Sequence, residues 1–209
     1  MATDRGRGRG YGQAQARQPM VRRVPKVVRT APSGALSLAV ISDTHSEPHA
    51  AAVGLVRELA PDLILHGGDI GRLSVLDRFE EVAPLVYVRG NIDGRASDMP
   101  DLEEIHIRRG DQILLRIMLT HIAVYGVRLQ AEARRMAQAC DADLVVFGHS
   151  HVPFLGRDGR VALFNPGSIG PRRPPLPITL GHIQIGEGGV QFRHLDCETG
   201  RVWLPPGMG

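Results

Sequence analysis

A chain of 209 residues is long enough for one domain with a sizeable core and marginal for two. No stretch approaches the roughly 18 consecutive apolar residues of a membrane helix, and no apolar run near the N-terminus ends in a signal-type cleavage site, so a cytoplasmic protein with no membrane contact is expected. The net charge of +3 hides an asymmetry: residues 1–35 carry Arg5, Arg7, Arg9, Arg17, Arg22, Arg23, Lys26 and Arg29 against Asp4 alone, a balance of +7 that leaves −4 for residues 36–209, so the folded part is mildly acidic and a basic surface on it is not indicated.

Residues 1–35 hold an Arg/Gly run and too few clustered apolar residues to offset the entropy of ordering, so they read as a disordered basic tail. That tail is open to three readings: a weak nucleic-acid contact through phosphate backbones, a plain solvated extension ahead of an internal start at Met20, or an Arg-rich transit peptide. From Leu36 the pattern changes. Leu36 to Ile41 is an apolar run of strand length, a polar turn covers Ser42 to Pro48, and a helical stretch follows from about His49 to Leu59. A second run, Leu63 to Leu65, ends in His66-Gly67-Gly68-Asp69, a helical pattern covers about Leu73 to Val82, and a third run, Leu85 to Val88, ends in Arg89-Gly90-Asn91. This β, turn, α repeat implies a parallel sheet flanked by helices.

Farther on, Glu104 to Arg108 and Ile113 to Leu119 read as strands, about Leu129 to Cys140 as a helix, and Leu144 to Phe147 as another buried strand. Two hairpins follow, one turning at Arg157-Asp158-Gly159-Arg160 and one at Gly186-Glu187-Gly188-Gly189, so a second sheet should pack on the first. Cys140 and Cys197 fit neither a C-x-x-C pair nor a disulfide framework and read as reduced thiols.

Ligands of open α/β sheets gather beyond the carboxyl ends of the strands. This chain places a polar residue at nearly every such end: Asp43 and His45 after the first strand, Asp69 after the second, Asn91 after the third, then His121, and then His149 and His151. Singly, each reads most simply as a helix cap, a turn former or an ordinary histidine. Together they concentrate at strand ends, whereas His49, His66, His106, His182 and His194 scatter. The mixed oxygen and nitrogen set, with no cysteine nearby, suits Mn, Fe, Co, Ni or Zn better than a structural zinc site. Seven ligands exceed the needs of one ion but match two ions sharing a carboxylate, the arrangement that clamps both oxygens of a phosphoryl displacement.

The ordered segments D-x-H, G-G-D, G-N-x-D, T-H, G-H-S-H and Asn165-Pro166-Gly167-Ser168 resemble the calcineurin-like metallophosphoesterases, and within them the small prokaryotic phosphodiesterases with an N-P-G-S segment. The resemblance implies an α/β fold, a four-layer αββα sandwich of two mixed sheets flanked by helices, over a domain of residues 36–209. It implies that Asp43, His45 and His151 bind a first divalent ion, that Asn91, His121 and His149 bind a second, and that Asp69 bridges them. Mn is the first expectation for both ions, with Fe, Ni, Co or Zn as alternatives. A metal-bridging hydroxide would then attack a small-molecule or nucleotide phosphoester, with Asn91 and the ions holding the phosphate oxygens. Where many relatives carry a histidine after the asparagine, this chain has Ile92 and then Asp93, which either orients a ligand or closes the turn with Gly94; the acid for the leaving group is unassigned. Thr120-His121-Ile122-Ala123 also departs from the T-H-G-H of that group, so slow turnover or a preference for good leaving groups is expected. Arg172 and Arg173 either meet a second phosphate or a nucleotide, or form a solvated pair in a Pro-rich loop. The competing class is a scaffold on the same fold, as in the eukaryotic retromer coat, where ligand positions have been lost.

Overall fold

The apolar runs sort into two sheets according to which neighbour each can pair with. The computed structural model describes residues 25–94 and 98–205. One sheet has the order β14 (Val202–Trp203), β13 (Gly189–Asp196), β12 (Thr179–Gly186), β2 (Leu36–Ile41), β3 (Leu63–His66) and β4 (Leu85–Tyr87). In it β2, β3 and β4 run parallel, while β12 and β13 are antiparallel additions. The other has the order β1 (Lys26–Arg29), β5 (Leu102–Arg109), β6 (Gln112–Thr120), β9 (Leu144–Val146), β11 (Val161–Asn165) and β10 (Phe154–Asp158). Here β6, β9 and β11 are parallel, β5 is antiparallel to β6 and parallel to β1, and β10 is antiparallel to β11. A small hairpin pairs β7 (Val124–Tyr125) with β8 (Arg128–Leu129).

Alternation along the strands decides the layers. Leu38 and Val40 of β2 meet Ile105, Ile117 and Val146 of the opposite sheet in a core between the two sheets. Ala39 and Ile41, pointing the other way, pack on α1 (Ala52–Glu58) and on Phe79 of α2 (Asp77–Glu80). On the far side, Met118, Val145 and Leu163 pack on Ala133 and Ala137 of α3 (Ala131–Ala139). The result is a four-layer αββα sandwich of two mixed sheets. Cys140 and Cys197 are both buried and not joined in a disulfide, and burial pushes the Cys197 thiol up to about 12, so it stays protonated. No helix of the described residues is long and apolar enough to cross a membrane.

One boundary differs from the sequence reading. Lys26–Arg29 falls in the segment expected to be a disordered tail, yet it forms an edge strand parallel to β5, with Lys26 opposite Ile105 and Arg29 opposite Arg108. The pairing comes from a partner some 80 residues away in sequence, and only Val28 reaches the core, so the segment carries little local strand signal. The rest of the tail, residues 1–24, lies outside the described residues. The third helix starts at Ala131 rather than Leu129, because Leu129 is paired in the β7–β8 hairpin and Gln130 is extended.

Candidate metal centre

Because β2, β3 and β4 are parallel, and β6, β9 and β11 likewise, the carboxyl ends of six strands open on one edge of the sandwich. Asp43, His45, Asp69, Asn91, His121, His149 and His151 meet there. His45 and His151 form one end of the site, with ring centroids 5.2 Å apart and their Nε2 atoms 3.3 Å apart. His121 and His149 form the other, with centroids also 5.2 Å apart, and Asn91 Nδ2 lies 3.3 Å from His149 Nδ1. The carboxylates lie between the two ends. Asp43 Oδ1 is 3.2 Å from His151 Nε2. The Asp69 carboxylate divides its oxygens: Oδ1 lies 3.3 Å from His121 Nε2, and Oδ2 lies 3.7 Å from His45 Nε2.

The backbone is strained at this edge. Asp43, His45, Ser46, Asp69, His149 and His151 all have positive φ, between 49° and 71°, and among the described residues only Ala60 and Asp141 share this with them outside glycine. Each such residue costs on the order of 1–3 kcal/mol and persists only where the surroundings over-determine it. They do so here. The Asp43 carboxylate accepts the Ser42 hydroxyl at 2.6 Å and the His149 N–H at 3.0 Å, and the Asp43 carbonyl accepts the Ser168 hydroxyl at 2.9 Å. The amide of Asn165 donates to Gly148 O at 2.7 Å, which ties the N-P-G-S segment beneath the G-H-S-H loop.

Asp93 occupies a supporting position. Its buried carboxylate accepts the backbone N–H groups of Ile70 (3.0 Å), Gly71 (2.8 Å) and Gly90 (2.8 Å). It therefore binds the loop carrying Asp69 to the loop carrying Asn91 and positions both, whereas the sequence left it between ligand support and turn closure. His66, which the sequence grouped with the scattered histidines, is wholly buried under the site. Its Nδ1 accepts the Gly68 N–H, so the proton sits on Nε2 and is donated to Thr44 Oγ1 at 2.6 Å. Burial lowers its pKa to about 4, which keeps it neutral. Its place beside Gly67-Gly68-Asp69 was the available clue.

The donor atoms suit a divalent cation. His121 Nδ1 donates to Gly67 O at 2.7 Å, leaving the lone pair of buried Nε2 directed at Asp69 Oδ1, with no well-aligned hydrogen bond between them. Two acceptors at 3.3 Å repel unless a proton or a metal ion lies between them. The electrostatics agree: burial opposes a charged His121, but Asp69 and Asp43 outweigh it and raise its pKa. Burial likewise opposes a charged Asp69, yet His121, the Ile92 N–H and His45 hold its carboxyl well below the usual range. Burial lowers His45 and His149, so both offer free lone pairs at neutral pH. Two groups of donor atoms each lie close enough to share one ion, Asp43 with His45 and His151, and Asp43 with Asp69 and His121.

Beside the His121 end lies a cleft of about 510 Å³, lined by Arg89, Asn91, Asp101, His121, Gln130 and His149 among others. Its size suits a small organic ligand.

A family profile described as calcineurin-like phosphoesterase superfamily domain matches residues 36–188. The chain is 32% identical over 174 residues to a probable metallophosphoesterase of Methanothermobacter thermautotrophicus, covering 80% of this chain and 94% of that one. It is 30% identical over 115 residues to the phosphodiesterase YfcE of Escherichia coli, covering 53% of this chain and 58% of that one. Among solved structures, Vacuolar Protein Sorting 29 from Cryptosporidium parvum aligns with a TM-score of 0.66 at 16% identity, covering 82% of this chain and 96% of that one, a likeness of fold alone.

Proposed function

The chain belongs to the calcineurin-like phosphoesterase superfamily, and from that premise we propose that it hydrolyses a phosphodiester with two divalent ions. In this reading Asp43, His45 and His151 hold one ion, Asn91, His121 and His149 hold the other, and Asp69 spans both. The observation that carries it is the divided Asp69 carboxylate, one oxygen toward His121 and the other toward His45. Such ions, with Mn the first expectation, supply charge neutralisation at the phosphate oxygens and a water acidic enough to act as nucleophile near neutral pH.

The protein's own groups do the rest. His121 is fixed in one tautomer by Gly67 O, and Asp43 is fixed by Ser42 and the His149 N–H, so neither reorganises when substrate arrives. Asn91, at the mouth of the cleft, presents an amide donor to a non-bridging oxygen, and one ester group enters the cleft. The phosphodiesterase named among the relatives supports diester over monoester. A scaffold would have no use for a full set of donors, which favours catalysis.

Among the described residues the two positions after Asn91 offer no acid to the leaving oxygen, since Ile92 is half-exposed and apolar and Asp93 is committed to three backbone N–H groups. A positioned acid contributes roughly 10²–10⁴-fold. Metal-stripped protein reconstituted with Mn is therefore expected to cleave bis(p-nitrophenyl) phosphate faster than p-nitrophenyl phosphate, and its rate on a series of aryl diesters should fall steeply as leaving-group pKa rises. A flat series would mean that a residue protonates the leaving group. Failure to cleave either ester with ions bound would sink the proposed activity.

A further inference from the structure

Arg172 and Arg173 are adjacent in sequence but meet different fates. Arg172 is ion-paired with Glu198, away from the site. Arg173 makes no ion pair among the described residues and directs Nη2 to 3.2 Å from His45 Nε2. The path of its loop is set beneath the site rather than by solvent. Ile169 N donates to Ser42 O at 3.2 Å, His49 N donates to Ile169 O at 2.6 Å, and Gly170 lies so close to the Asp43 and Thr44 carbonyls that no Cβ would fit there. Pro171, Pro174 and Pro175 stiffen the stretch, and Leu176 N donates to Arg173 O at 2.9 Å to close it.

The atom that Arg173 meets is the one that faces Asp69 Oδ2 and His151 Nε2, hence the donor that an ion in the site would claim. A guanidinium carries only donors and a permanent charge. Once the His45 lone pair is taken, Arg173 loses its acceptor and stands as a second cation next to the first. What relieves that arrangement is an anion touching both, and a phosphate oxygen matches the guanidinium fork.

Resting on the activity proposed above, we infer that Arg173 is a catalytic residue that grips a non-bridging oxygen of the reacting phosphate from the His45 end of the site. Asn91 holds the phosphate from the opposite end. The substrate phosphate is thus clamped across the site, and Arg173 supplies positive charge that the apolar Ile92 does not.

The test is calorimetric titration of Mn-loaded protein with inorganic phosphate, run on wild type, Arg173→Met, Arg173→Lys and Arg172→Met, with bound Mn counted for each. Arg173→Met should bind phosphate about tenfold or more weakly at unchanged Mn content, Arg173→Lys should recover part of the loss, and Arg172→Met should match wild type. kcat/KM on bis(p-nitrophenyl) phosphate should fall in parallel. Equal phosphate affinity in wild type and Arg173→Met would overturn the inference. So would a loss that appears only together with lost Mn or a lowered Tm, or a wild type that binds no phosphate. Because phosphate binding needs no turnover, the titration decides the role of Arg173 even if no ester is cleaved, an outcome that would count against the activity instead.

Discussion

Asp69→Asn is expected to lower Mn-supported cleavage of bis(p-nitrophenyl) phosphate by at least about a thousandfold, equivalent to roughly 4 kcal/mol of lost transition-state stabilisation. The substitution keeps shape, and its remaining carbonyl can still accept the Ile92 N–H that now donates to Oδ1 at 3.1 Å. What it removes is the charge that His121 and His45 share from opposite ends of the site. Without it no single carboxylate faces His121 with one oxygen and His45 with the other. Folding should survive, because relieving a crowd of buried carboxylates and imidazoles trades activity for stability. Unchanged circular dichroism with a Tm at or above wild type, alongside the lost rate, is the expected pair of results. A loss of tenfold or less would mean that Asp69 does not bridge.

Gly90→Ala should lower the rate by about a hundredfold without replacing any ligand residue. A Cβ at Gly90 would overlap the backbone of Asp69, and a backbone cannot swing aside as a side-chain end can. Gly90 N also donates to Asp93, the carboxylate that joins the two loops, so any shift spreads to Asn91. Overpacking of this kind costs typically 1–3 kcal/mol. A displacement of about 1 Å at a reacting centre costs on the order of a hundredfold in rate. Urea denaturation and kcat/KM measure the two effects separately. Gly54→Ala, on α1 where a new Cβ meets open space, should leave both at or above wild type. A Gly90→Ala protein with wild-type activity would show that the close packing of these two loops is dispensable.

Much of the site was legible because parallel strands turn linear order into spatial convergence. Asp43, Asp69 and Asn91 each end a strand of one parallel set, and His121 and His149 each follow a strand of the other, so strand ends alone gathered them. The core between the sheets was equally readable from runs such as Leu36 to Ile41. Other features depend on contacts that spacing does not encode. β1 exists because β5 offers an edge, and the Arg- and Pro-rich composition around Lys26–Arg29 argues the other way. Left-handed backbone at His45, His149 and His151 was not legible, since histidine adopts it more often than most residues yet still in only a small minority of cases. Asp93 looked like a turn former, and only the convergence of Ile70, Gly71 and Gly90 N–H groups on its carboxylate gives it a positioning role. Nothing in the dipeptide Arg172-Arg173 distinguishes the partner of Glu198 from the neighbour of His45.

The most direct test of the binuclear reading is a stepwise Mn titration of metal-stripped protein, with bound ions per chain and diester hydrolysis followed together. Binding is expected to saturate at two ions per chain in wild type, hydrolysis to rise only as the second ion binds, and Asp69→Asn to hold fewer than two. Full activity at one ion per chain, or activity that persists with none, would contradict that reading.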